Sequence, residues 1–160
     1  MQLHLTKICL KPILHKKEID YMKKFKLSVE EYQKILKAIQ LLSISLNNVK
    51  AEKSEEYLDK NLELKIKDNP KRIPDDKKIG FTYRFSLIAK SPDKEKPAVK
   101  IDAEFAVLYS NPKNISIDPE FYEIFPHASL KYIVWPYFRE IVQNNVSRMN
   151  LPLLTLPTIM

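Results

Sequence analysis

The chain holds a single glycine, Gly80, and a single cysteine, Cys9, in 160 residues. One glycine cannot build a Walker or dinucleotide phosphate loop, whose backbone approaches the phosphates at several glycine positions. One cysteine cannot close an internal disulfide, and its isolation fits a reducing, cytoplasmic compartment. The three histidines, His4, His15 and His127, are scattered, and no His, Cys or carboxylate group has metal-ligand spacing, so neither metal nor cofactor is expected. No apolar run approaches the ~20 residues of a membrane-spanning helix, and no membrane insertion is expected. The first residues lack the uninterrupted apolar stretch and small-residue cleavage site of a secretory signal. Arginine, the usual reader of base edges, occurs only at Arg72, Arg84, Arg139 and Arg148.

What is present is a net charge of +7, and it is unevenly placed. Residues 1–27 carry Lys7, Lys11, Lys16, Lys17, Lys23, Lys24 and Lys26 against Glu18 and Asp20, so the rest of the chain is close to neutral. This segment has no clean periodicity, and Pro12 interrupts it. It reads as a basic, poorly ordered arm preceding one domain over 28–160, with Met22 as an alternative start. A basic arm permits a nucleic-acid-binding reading. Its lysines alternate with Leu and Ile rather than with stacking aromatics, which leaves nucleic acid the weaker partner.

Regular structure begins at Ser28. Ser28-Val29-Glu30-Glu31 is a capping box, and Tyr32, Ile35, Leu36 and Ile39 line one face of the helix it opens. The helix is expected to end near residues 40–42. The period then changes to two. Ser43 to Ala51 reads as a first strand with a bulge at Asn47-Asn48, and Leu58 to Lys67 as a second. Residues 79–90 form a third with Phe81, Tyr83, Phe85 and Leu87 on one face, and 97–110 a fourth with Val99, Ile101, Ala103, Phe105, Val107 and Tyr109 inward. Asp68 to Lys78, with Pro70 and Pro74, reads as a polar loop. Asp118-Pro119 is a helix N-cap with proline in the first position, opening a short helix that Pro126 ends. A long helix follows from residue 127 or 128 to Met149, with Pro136 inside. The order predicts an α+β domain: a four-stranded antiparallel sheet with a long C-terminal helix on one face and an extra N-terminal helix.

Catalysis finds little support. His127 at a helix start reads as a cap or surface residue. Asp102 and Glu104 share one strand face, where paired carboxylates are ordinarily solvated rather than set in a pocket that shifts a pKa. No enzyme activity is expected.

The C-terminal stretch is different. Ile133, Tyr137, Ile141 and Met149, with Val134, Phe138, Val142 and Val146, form a broad apolar stripe on a helix. After Asn150 comes Leu151-Pro152-Leu153-Leu154-Thr155-Leu156-Pro157, extended and apolar between prolines. Such a surface either packs on its own sheet or lines an interface or groove. A groove of Leu, Ile, Phe and Tyr can hold many unfolded segments, since apolar contact is non-directional.

Trp135-Pro136-Tyr137-Phe138-Arg139-Glu140, then Ser147-Arg148, then Leu151 to Pro157 resemble the end of the SecB chaperone family in order and spacing. Ala103 to Tyr109 is similar to a strand of the same family. The resemblance covers about residues 43–157. It implies an ATP-independent holdase that binds unfolded or export-bound polypeptides, or alternatively one dedicated to the antitoxin of a toxin–antitoxin pair. It implies a homo-dimer or homo-tetramer with helices sandwiched between sheets. By position, it places Tyr137, Phe138, Leu151, Pro152, Leu153, Leu154, Leu156 and Pro157 at the client groove. It places Ile101, Ala103 and Phe105 at a subunit interface, with Ile133 and Ile141 beside them on the helix. Asp102 and Glu104 fall on the outer face that export SecB proteins offer to the SecA motor. Those proteins are acidic, and this chain is basic. The N-terminal helix is expected to stand in for the family's second C-terminal helix as a groove wall.

Overall fold

The computed structural model describes residues 16–152 and 154–159. Two short helices, α1 (Lys16–Met22) and α2 (Val29–Ala38), precede four strands: β1 (Gln40–Lys53), β2 (Glu63–Ile73), β3 (Lys78–Lys90) and β4 (Val99–Ser110). Helix α3 (Pro119–Phe125), a π turn (Pro126–Leu130) and α4 (Lys131–Arg148) then run on as one helical rod. The sheet is antiparallel throughout, in the order β1-β4-β3-β2, so β1 and β2 are its edges.

The period-2 pattern acts as expected in the two central strands. Phe81, Tyr83, Phe85, Leu87, Ile101, Ala103, Phe105 and Val107 are buried on one face. The rod covers that face: Phe85 stacks on Phe138 at 4.8 Å and meets Trp135 at 5.5 Å, while Phe81 and Tyr109 pack on Phe125. Burying an aromatic or aliphatic side chain contributes about 1.5–3 kcal/mol, so this layer is the main source of stability. The only glycine of the chain has a steric cause. A Cβ at Gly80 would stand 3.1 Å from both Ile73 Cβ and Leu108 Cδ2, where the sheet's outer face crowds.

Several boundaries move. Helix α2 stops at Ala38 and β1 starts two residues later, with register shifts at Leu41/Ser43 and Leu46/Asn48, the second of them at the expected Asn47-Asn48 bulge. The expected loop at 68–78 is mostly strand: β2 starts at Glu63 and runs through Pro70 to Ile73. An edge strand tolerates proline because one side of its backbone has no partner to lose. Pro126 does not end its helix. It lacks an N–H, and the chain passes it by a wider turn in which the Pro126 carbonyl accepts from the Lys131 amide. Asp118 caps α3 as expected, its carboxylate accepting from the Glu120 amide.

The expected arm, 1–27, is described only from residue 16, so Cys9, His4 and His15 lie outside the described residues. From residue 16 on it is packed. Met22 and Leu27 are buried in the core, and the Glu120 carboxylate accepts from the amides of Lys26 and Leu27 at 2.7 and 2.8 Å. The capping box at Ser28/Glu31 is formed, and it holds the Glu31 carboxyl below its ordinary range. Tyr32 is fully buried against Phe121, with its hydroxyl 2.7 Å from Ser129 Oγ. Helix α2 therefore rests on residues 120–129 of the rod.

Candidate functional site

Helix α4 sits over the two central strands and splits its expected stripe. Val134, Trp135, Phe138, Val142 and Val146 are buried beneath it. Ile133 and Ile141 are half-buried, and Tyr137 stays 39% exposed. Tyr137 lies 6.4 Å from Phe105, whose strand neighbour is Leu46 of β1, so this row looks toward β1. On the same face of β1, Leu41 and Leu46 are exposed at 43% and 47%, with Ile44, Val49 and Ala51 half-buried between and beyond them.

The opposite flank looks toward β2, because Trp135 meets Phe85, the strand neighbour of Asp68. Here the C-terminal segment folds back along the helix. Asn150 takes a positive φ of 53°, and the Leu151 amide reaches the Val146 carbonyl at 3.2 Å, which closes α4 and reverses the chain. The segment is then pinned twice. The Trp135 indole N–H donates to the Pro157 carbonyl at 2.9 Å, and Arg139 Nε donates to the Leu156 carbonyl at 2.8 Å. Leu156 is buried under these bonds, while Leu151 and Leu154 are half-buried and Pro152 and Pro157 exposed. Pro136, Arg139, Glu140 and Gln143 face Leu154, Thr155 and Leu156 across a shallow pocket of about 190 Å³. Beyond the segment, on the helix-facing side of β2, Leu64 and Ile66 are exposed at 47% and 38%.

The β2 flank is polar at its middle. Asp68 accepts from the Tyr83 hydroxyl at 2.7 Å and pairs with Lys131 at 3.2 Å. Burial pushes the Asp68 carboxyl up, but the tyrosine and the lysine together outweigh it and leave it below the carboxylate range. Burial, with Asp68 beside it, raises the Tyr83 phenol far above its ordinary value. A wider cleft of about 420 Å³ lies between α2 and the 111–115 turn, lined in part by Lys34, Lys37 and Lys113. It shares no residue with the C-terminal segment.

Several expected site residues are placed otherwise. Phe138 is fully buried between Phe85 and Trp135 and has no surface for a client. Ile101, Ala103 and Phe105 are 0–3% exposed, in the core beneath the chain's own helix rather than on its surface. Leu153 lies outside the described residues. Asp102 and Glu104 do reach the outer sheet face, but cations and a hydroxyl already occupy them. Lys100 and Ser86 hold Asp102, and Arg84 holds Glu104 at 3.0 Å. Leu41, Leu46, Leu64 and Ile66 were missed. The signal was available: apolar residues recur on one face of strands that nothing in the sequence marks as edges. The N-terminal helix does not flank the pinned segment. It rests on 120–129, whereas the segment rests on 135–143. Among the described residues no group of three His, Cys, Asp or Glu side chains could hold a metal ion, and no helix is long and apolar enough to cross a membrane.

No family model matches the sequence, and no curated protein matches it. A solved structure does. The chain is similar, at 19% identity and a TM-score of 0.66, to the SecB-like chaperone Rv1957 of Mycobacterium tuberculosis, determined in complex with a ChAD peptide from the Rv1956 HigA1 antitoxin. The match covers 78% of this chain and 93% of that one. Four antiparallel strands under one long C-terminal helical rod, with a short N-terminal helix added, are the SecB-like fold, and this chain has it.

Proposed function

We propose that this protein is a SecB-like chaperone that holds an extended apolar segment of another polypeptide without ATP, and that its client is an antitoxin. The observation that carries the reading is the β2 flank, where Leu64 and Ile66 are exposed on the helix-facing side of the strand and an apolar C-terminal segment is pinned to the flank of α4. Two large exposed aliphatics on one strand face form an unpartnered apolar strip of the kind that marks an interaction surface. The antitoxin reading is supported by the structural relative, whose ligand is an antitoxin peptide. The half-buried Leu151 and Leu154 of the C-terminal segment are proposed as accessory contacts.

Self-association is proposed through β1. Its first ten residues, Gln40 to Val49, carry no charge, no strand among the described residues pairs with its outer edge, and Leu41 and Leu46 are exposed on the flank toward which Ile133, Tyr137 and Ile141 look. An uncharged edge is free to pair with a second copy. Export through SecA has less support, because the outer-face acids are internally neutralised. Lys7 and Lys11 of the basic arm, on which a nucleic-acid reading rested, lie outside the described residues.

The test is aggregation of an antitoxin-like and of an unrelated unfolded client, with and without the protein and ATP, alongside light scattering. Suppression without ATP that is lost in Leu64→Ser/Ile66→Ser supports the reading. Both residues are exposed, so that variant keeps its fold. Absence of suppression by the folded native protein refutes it. Leu41→Asp/Leu46→Asp should lower the mass to that of one chain.

A further inference from the structure

The two edges of the sheet differ in chemistry, and β2 is built for a particular strand. The helix-facing side of β2 presents Leu64 and Ile66, and the outer side presents Lys65 and Lys67 beyond Glu63 at the strand's start, all exposed. Successive side chains on one face stand about 6.6 Å apart. Among the described residues neither lysine forms a salt bridge, although Arg84 and Lys100 nearby are both paired. Among the described residues no strand pairs with the outer edge of β2. Pro70 has no N–H, so the stretch that can offer an outward backbone donor at every second residue is Glu63 to Asn69.

We propose that β2 receives the client by strand addition, and that the client segment it selects alternates apolar with acidic residues. This rests on the holding function proposed above and specifies its substrate class. An added strand would satisfy the free backbone row, lay its apolar residues on Leu64 and Ile66, and bring its carboxylates beside Lys65 and Lys67. The same lysines select against other occupants. A second copy pairing antiparallel through β2 with Lys65 across from Lys65 or Lys67 would set lysine against lysine, and a neutral strand leaves them without partners. An acidic protein strand fits better than nucleic acid. This surface has no aromatic side chain on which a base could stack, and its arginine, Arg84, is engaged by Glu104.

The experiment is fluorescence anisotropy with labelled nonapeptides in which Leu alternates with Glu, Gln or Lys, at low and high salt. The Glu peptide should bind roughly tenfold more tightly than the Lys peptide at low salt, as two exposed charge pairs turned from attraction to repulsion imply. High salt should erase the difference. Lys65→Glu/Lys67→Glu should invert the preference, and methylation of alternate peptide amides should abolish binding. Equal affinity for the three peptides, absence of inversion, or displacement of the Glu peptide by a single-stranded oligonucleotide would overturn the proposal. If no alternating peptide binds while an unfolded client is still protected from aggregation, strand addition fails and the holding function stands. If neither is bound, both fail.

Discussion

Removing the Arg139 guanidinium should release the C-terminal segment without unfolding the domain. Arg139→Met is the suitable change. Methionine has a helix propensity close to that of arginine and keeps an aliphatic stem against the helix surface. What it lacks is the Nε–H that meets the Leu156 carbonyl at 2.8 Å. Leu156 is only 4% exposed, so its carbonyl loses a charged donor in a place that water reaches poorly. A hydrogen bond to a charged group contributes about 1.5–3 kcal/mol, which is a ten- to hundredfold fall in the docked population. The reporter is intrinsic. Trp135 is the chain's one tryptophan, and its N–H bonds to Pro157 in the same segment. In a urea titration the variant's tryptophan emission should shift and become quenchable at lower denaturant than the loss of far-ultraviolet circular dichroism. In the native protein the two transitions should lie closer together. A variant in which both signals move together, or neither moves, would show that the segment is not an independently docked element held by this bond.

Glu120→Ala removes the acceptor shared by the Lys26 and Leu27 amides and should lower stability by about 2 kcal/mol, with faster hydrogen exchange in α2 before the sheet. Unchanged exchange would refute the clamp. Tyr109→Phe should raise stability by about 1 kcal/mol in chemical denaturation, because the Tyr109 hydroxyl is buried among the described residues without a partner. A loss of stability would mean that this hydroxyl is bonded. Asp68 has a folded pKa below its unfolded value. Its contribution is therefore present above the unfolded carboxylate pKa and lost as pH falls through the folded one. Asp68→Asn should flatten that acid limb of the stability profile, and an unaltered limb would assign it to other carboxylates.

The architecture was legible because local patterns and tertiary packing agree. Ser28 and Glu31 form the capping box that their spacing announces, Asp118-Pro119 starts α3, and the alternation of β3 and β4 is the alternation of burial. These features depend on residues within a few positions of one another, which a sequence displays directly. Proline was the residue that misled. Pro70 and Pro126 break regular structure in isolation. Pro70 is tolerated at an edge, and a π turn accommodates Pro126. Neither circumstance is local.

The site divides along the same line. The periodicity of residues 133–149 establishes by itself that the helix has a wide apolar stripe. Only the tertiary structure decides that Phe138 and Val142 spend theirs on the chain's own sheet while Tyr137 keeps a free surface. The prolines of 151–157 determine an extended segment, and contacts with Trp135 and Arg139 decide where it lies. The alternation of Leu64, Lys65, Ile66 and Lys67 determines two chemically distinct faces. That these faces belong to an edge, open to another chain, follows from the strand order, and strand order comes from long-range pairing that no window of sequence contains.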